Sequence, residues 1–225
     1  MGVSLELGIS GPENMGRDAA LLAEAEAGRC RVRVYTWDGP WVSLGMFQSP
    51  ERDLKPRCPA PWVMRPTGGK AVLHGHDVTI GAAWPLGWVR NRLIAQNEPV
   101  PPSLSRSVRS VYRTTARPII KALRACGVPA ALGDATRFVG RGPRTADCFA
   151  HVSPNDIVDE RTGVKVCGCA LRITDRAVLV QASIPAGKPL VDPADVYERP
   201  AAMTVCAVSP EDFAREFEKA LHGAA

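Results

Sequence analysis

The sequence predicts an α+β fold, with mixed or antiparallel β-sheets packed against helices, on three observations. A helical segment comes first, two blocks of strand-like segments follow with a long amphipathic helix between them, and a capped amphipathic helix comes last. Parallel α/β folds alternate strand and helix more regularly, so this segregated order argues for the α+β class. With 225 residues and 45% hydrophobic composition the chain can bury one substantial core, and residues 1–225 are expected to form a single domain.

The first helix is expected over Asn14 to Gly28, where Leu21, Leu22 and Ala25 share a face and Gly28 is placed to end it. Arg31 to Trp37 then alternates polar and apolar residues, and Asp38-Gly39-Pro40 turns the chain into Trp41 to Phe47, which reads as a hairpin-like pair. Further strands are expected at Trp62 to Arg65, Ala71 to Leu73 and Val78 to Trp84, before a proline-rich connection from Pro85 to Pro102. Between Ser105 and Cys126, the residues Val108, Val111, Tyr112, Ile119, Ile120 and Leu123 follow helical spacing, with Gly127 as the stop and Pro118 as a point of kinking or division. Gly133 to Asp147 is rich in Gly and Arg and lacks periodicity, as surface loops that carry function often do. Asp156 to Val158, Val164 to Ala170 and Ala177 to Ile184 read as strands, the first two joined by the turn-like Asp159-Glu160-Arg161-Thr162-Gly163. Ser209-Pro210-Glu211-Asp212 starts the last helix with a capping hydroxyl, a first-turn proline and acids at the positive end of the dipole; Phe213, Phe217 and Leu221 form its apolar stripe.

Composition narrows the function classes. No amino-terminal segment joins a basic start to an apolar stretch, so a secretory signal is not expected. The longest apolar stretch, Val78 to Val89, is broken by Pro85 and two glycines and falls short of the ~20 residues that span a bilayer, so the expectation is a soluble, cytoplasmic protein with no membrane partner. Seven cysteines, an odd number without a regular framework, fit reduced thiols. A net charge of +5 favours an acidic partner, but the basic residues are scattered and only 6% of residues are aromatic, which leaves an acidic protein and a nucleic acid equally open on charge alone.

The run Arg65-Pro66-Thr67-Gly68-Gly69-Lys70-Ala71-Val72-Leu73-His74 is the most informative stretch. Paired glycines between two strand-like segments let backbone approach a ligand closely, although a plain structural hairpin has the same look. It is not a Walker loop, which requires four residues before its Gly-Lys-Ser/Thr ending. Two other features stand beside it: Cys148, directly after the Gly/Arg-rich loop, and Lys165, a lysine set among strand-forming residues.

Taken together, these segments resemble the lipoate and octanoate protein ligase and transferase family, which has the biotin/lipoate protein ligase catalytic fold. Arg65 to His74 is similar to the family's Arg-x-Ser/Thr-Gly-Gly-x-x-Val-x-His signature, Trp41 to Gln48 to its Ser-x-Gly-x-x-Gln strand, and Lys165-Val166-Cys167-Gly168-Cys169-Ala170 to its Lys-Val-x-Gly-Ser-Ala segment. Asn155-Asp156 resembles the Asn-Asp pair that precedes this lysine in ligases. Cys148-Phe149 resembles the octanoyltransferases that carry their nucleophile ahead of the lysine. The resemblance implies an acyltransferase of lipoate assembly without an accessory carboxy-terminal domain. Octanoyl-acyl carrier protein would be the donor, and a lysine of a lipoyl domain or of the glycine cleavage H protein the acceptor; nucleic acid would not be a partner. Cys148 and Lys165 would be catalytic, and Arg65, Thr67, Gly68, Gly69, Val72, His74 and Gly168 would bind the acyl substrate. The Cys148 thiolate would attack the thioester-linked acyl group, Lys165 would supply positive charge to the oxyanion and favour the thiolate, and no cofactor would be required because a thioester is already activated.

Alternatives remain at this point. An ATP-dependent lipoate ligase, using ATP and Mg, shares the signature. An amidotransferase between lipoyl carriers differs only in donor, and a binding protein for acyl groups or lipoyl domains would show no turnover. The signature often begins with two arginines, but Met64 holds the first place. On a regular strand Lys165, Cys167 and Cys169 would share a face, which raises a zinc site with His151 or Cys148; the Cys-x-Cys spacing disfavours it, and no metal is expected. His74 is expected to shape the pocket rather than move a proton, with His151 the other candidate base. Arg137, Arg141 and Arg144 on the loop would face an acidic carrier.

Overall fold

The computed structural model describes residues 2–202 and 204–223. In chain order the first half forms β1 (Val3–Ile9), α1 (Gly11–Glu26), β2 (Arg31–Trp37), β3 (Val42–Leu44), α2 (Pro50–Asp53), β4 (Trp62–Met64), β5 (Val72–Leu73), β6 (Asp77–Pro85) and α3 (Leu86–Ala95). The second half forms α4 (Val108–Ala125), β7 (Ala130–Leu132), β8 (Ile157–Asp159), β9 (Lys165–Ile173), β10 (Ala177–Pro185), α5 (Pro193–Val196) and α6 (Pro210–His222). A seven-stranded sheet runs in the order β1-β2-β6-β10-β9-β8-β7, and a three-stranded sheet in the order β4-β3-β5. Both are mixed: β1 pairs with β2 and β4 with β3 in parallel, and the other neighbours are antiparallel.

The alternation of a strand decides which residues face which layer. Val78, Ile80, Ala82 and Trp84 of β6, with Val178, Val180, Ala182 and Ile184 of β10, enter the main core against α3, α4 and α6. On the opposite face Ala83, Ala177 and Leu179 pack on Leu21, Leu22 and Ala25 of α1. That second face turns polar farther along, at Thr79, Gln181 and Ser183, all buried. The small sheet has its own core, where Val42, Leu44, Ala71 and Leu73 meet Val196 and Tyr197.

Several expectations hold and several are corrected. The α+β class, the β8–β9 hairpin and the closing helix are present, and Ser209 Oγ accepts from Asp212 N at 3.0 Å as a capping hydroxyl does. The expected hairpin of Arg31–Trp37 with Trp41–Phe47 is absent, because β2 and β3 lie in different sheets. Trp37 Nε1 donates to Thr79 Oγ1 at 2.9 Å, while Trp41 packs over Gly11, where a Cβ would lie 2.5 Å from its ring. The expected connection after Pro85 contains α3, whose Leu86, Val89 and Leu93 are buried at helical spacing. The first helix starts at Gly11, before Asn14, and β1 and β7 are additional strands. Pro118 does not divide α4, which runs unbroken from Val108 to Ala125. Among the described residues no helix is long and apolar enough to cross a membrane.

Candidate active site

A cavity with about 410 Å³ of empty space opens between the two sheets on the α1 side. Met15, Tyr35, Trp37, Val72 and Ala170 supply apolar wall, and Thr79, Gln181 and Ser183 supply the polar part of the large sheet. Of the residues singled out from sequence, Arg65, Gly69, Val72, His74, Cys148 and Gly168 all line it.

Cys148 opens a short 3-10 turn, Cys148–Ala150, that backbone contacts fix in place. Cys148 N donates to Ala71 O and Ala71 N to Ala146 O, both at 2.9 Å, so the loop before the cysteine is stitched to the glycine run. Buried Asp147 accepts from Phe149 N at 2.9 Å and from Ala201 N at 2.7 Å, which sets the turn's direction. Lys165 reaches the thiol from the other side. Its Nζ lies 3.3 Å from Cys148 Sγ, donates to Cys148 O at 2.7 Å and pairs with Asp156 Oδ1 at 2.8 Å. Burial opposes the ammonium, but Cys148 and the Asp156 carboxylate outweigh it and hold the Lys165 pKa above the ordinary lysine range.

The aim of Lys165 comes from an irregularity in β9. Val158 pairs with Lys165 and Ile157 with Cys167, so two steps along β9 match one along β8. The extra residue inverts the alternation, as a β-bulge does. Cys167 therefore falls into the main core with Val166 and Cys206, whereas Lys165 shares the cavity face with Gly168. The expectation that Lys165 and Cys167 share a face is corrected accordingly. Cys167 and Cys169 stand with sulfurs 3.8 Å apart.

The glycine run is braced from within. The buried Arg65 guanidinium donates to Ser43 O at 2.9 Å and, through Nη2, to Gly68 O and Lys70 O at 2.7 Å each. Its N–H groups are thus occupied by backbone, and Arg65 shapes the loop as well as lining the pocket. Gly69 has φ 89°, in the region that favours glycine. Thr67 is wholly buried and donates to Gln181 Oε1 at 2.7 Å, tying the loop to β10. His74 is held elsewhere in the cavity wall by its own partners. It stacks on Trp37 at 4.0 Å between centroids, with Nε2 2.8 Å from Ser43 Oγ and Nδ1 2.8 Å from Asp77 Oδ2. His151 bonds to Gly142 O through Nδ1 at 2.9 Å, which anchors the Gly/Arg-rich loop. On that loop Arg137 and Arg141 both lie over the Phe138 ring, and Arg141 also donates to Thr162 O at 2.9 Å.

The lipoyl protein ligase A/B catalytic domain family matches residues 10–208. The chain belongs to this family. Curated relatives include the octanoyltransferase LipM of Geobacillus kaustophilus, 29% identical over 181 residues covering 76% of this chain and 60% of that protein. The octanoyltransferase LipM of Symbiobacterium thermophilum is 30% identical over 187 residues, covering 77% and 61% respectively. The chain thus spans about 60% of the length of these relatives. Among solved structures, a lipoate protein ligase of T. acidophilum with bound lipoic acid superposes with a TM-score of 0.71 at 19% identity, over 98% of this chain and 86% of that one. A lipoate-protein ligase A bound with ATP gives 0.67 at 21%, over 99% and 86%. These likenesses confirm the lipoate ligase catalytic fold.

Within the lipoyl ligase A/B family frame, Met64 in place of the signature's first arginine is half-exposed on edge strand β4 while Arg65 turns inward. Contributors to the site that sequence reasoning missed include Asp147 and Gln181. Asp147 carried a signal, a capping residue type directly before Cys148; the position of Gln181 follows from contacts across the chain.

Proposed function

We propose that the chain is an octanoyltransferase that moves an octanoyl group from acyl carrier protein to a lysine of a lipoyl domain or of the glycine cleavage H protein, by way of a thioester on Cys148. The observation that carries this reading is Cys148 Sγ, 3.3 Å from the Lys165 ammonium at the wall of a largely apolar pocket. An apolar chain fits the walls of Tyr35, Trp37 and Val72, and a thiol beside a fixed cation is the arrangement that favours a thiolate nucleophile. The curated octanoyltransferase relatives support the same reading.

In the first step the thiolate attacks the donor thioester and expels the donor as its thiolate. In the second, the acceptor amine attacks the Cys148 thioester, the C–S bond breaks back to the Cys148 thiolate, and the amine releases one proton. The product amide is more stable than the thioester, so ATP is not consumed. Incubation with octanoyl-acyl carrier protein and no ATP is expected to add one octanoyl mass, mapped to Cys148, and adding the lipoyl domain should discharge it. An unchanged mass, or a Cys148→Ser chain that transfers as well as the parent, would sink the mechanism.

A further inference from the structure

The transfer requires a donor for the negative charge that develops on the acyl oxygen, and the expected one is already occupied. An ammonium has three N–H donors. Those of Lys165 go to Asp156 Oδ1, Cys148 O and Cys148 Sγ. The Arg65 guanidinium is likewise committed, to Ser43, Thr67, Gly68 and Lys70.

Lys70 differs from both. Its Nζ is buried from solvent and has no hydrogen-bond partner among the described residues. Buried donors left unmade are rare in folded proteins, and one at a reacting centre calls for an explanation. The backbone holds Lys70 beside the nucleophile: Arg65 fixes its carbonyl at 2.7 Å, and the next residue, Ala71, bridges Asp147 and accepts from Cys148 N at 2.9 Å. Burial lowers the Lys70 pKa, Cys148 and the Asp147 carboxylate oppose that, and Lys165 and Arg144 push it further down, so the ammonium lies in the field of the thiol. A cation whose N–H groups have no hydrogen-bond partner keeps them available for negative charge that arrives with the reaction.

We propose that Lys70 is a catalytic residue whose ammonium donates to the oxyanion formed when Cys148 attacks the acyl carbonyl, an inference that rests on the transferase reading. As the Cys148 C–S bond forms, the carbonyl π pair moves onto oxygen and meets Lys70. The pair returns as the donor's C–S bond breaks, and the donor leaves as a thiolate. Thiolate enters and thiolate leaves, so Lys70 keeps its protons.

The test is single-turnover acylation by octanoyl-acyl carrier protein, followed by intact mass, beside alkylation of Cys148 by iodoacetamide, which builds no oxyanion. Loss of one oxyanion donor costs about 10²–10³ in rate. Lys70→Met is expected to acylate at least ~100-fold more slowly than the parent, Lys70→Arg to recover most of the rate, and alkylation to fall far less than acylation in the methionine variant. Lys70→Gln, which keeps length and polarity without charge, carries the same comparison if the methionine variant fails to fold. A Lys70→Met or Lys70→Gln chain that acylates at the parental rate overturns the proposal, since the Lys165 donor released from Sγ would then serve the oxyanion. Equal losses in acylation and alkylation also overturn it. A parent that gains no octanoyl mass sinks the transferase reading itself, an outcome distinct from either.

Discussion

Gly168 faces the Cys148 thiol without a side chain. A Cβ there would stand 3.1 Å from Cys148 Sγ and 3.4 Å from Lys165 Cε, so an added methyl must displace the thiol, the lysine, or both by a few tenths of an ångström. Small misplacements at a reacting centre are costly, up to ~100-fold for about 1 Å. Gly168→Ala is therefore expected to lower single-turnover acylation roughly tenfold while the chain stays folded. A parental rate would show that the thiol has room to move. At this scale the sequence was informative about Cys148, Lys165 and the glycines, whose residue types sit in a recognisable pattern. It was silent on Lys70, because an ammonium without a partner is defined by what surrounds it in three dimensions. Asp156 lay between these cases, visible as half of an Asn-Asp pair but not as the partner of Lys165.

The elements that sequence reasoning missed each have a physical cause. β1 is an edge strand with Leu5 and Leu7 exposed, so it lacks the half-buried alternation that marks a strand. The helix α3 is bracketed by prolines, which masked the buried Leu86, Val89 and Leu93. Regular elements with one clear apolar face, such as β6, β10 and α6, were legible throughout. The bulge in β9 was not, since the slip arises from pairing with β8. The end of β3 shows how closely the elements abut: a Cβ on Gly45 would lie 2.1 Å from Gly69 O. Gly45→Ala must push the glycine run outward, and overpacking of this kind costs about 1–3 kcal/mol. The expected outcome is a lower urea midpoint together with slower acylation; an unchanged midpoint would mean that the loop yields freely.

For the whole molecule, the site is a seam between two sheets closed by buried polar links. Arg33 pairs with Asp18 at 2.8 Å, Gln181 donates to Asp18 at 2.6 Å, and Thr67 donates to Gln181 at 2.7 Å, which connects α1 to the glycine run through β10. Asp77 plays the matching role beneath His74. Burial opposes its charge, but His74 and Ser183 hold the carboxyl down at about 2. Its unfolded value is about 3.9, so the folded pKa is depressed; the stabilisation is present above pH ~4 and is lost as pH falls toward 2. The shift corresponds to about 2 kcal/mol. Asp77→Asn should therefore lower stability at pH 7 and flatten the loss of stability between about pH 4 and 2, read from urea midpoints across that range. An equally steep acid loss in the variant would place the sensitivity elsewhere.

The ion pair of Lys165 with Asp156 has one more chemical consequence. In the proposed transfer, a lysine of the chain's own stands 3.3 Å from the sulfur that would carry the acyl group. A neutral amine there would intercept the acyl group and end turnover after one cycle. Once the thiolate is consumed in the thioester, the Asp156 carboxylate still favours the protonated nitrogen, and an ammonium has no lone pair with which to attack. The salt bridge thus denies Lys165 the reaction that the proposed function assigns to the acceptor's lysine.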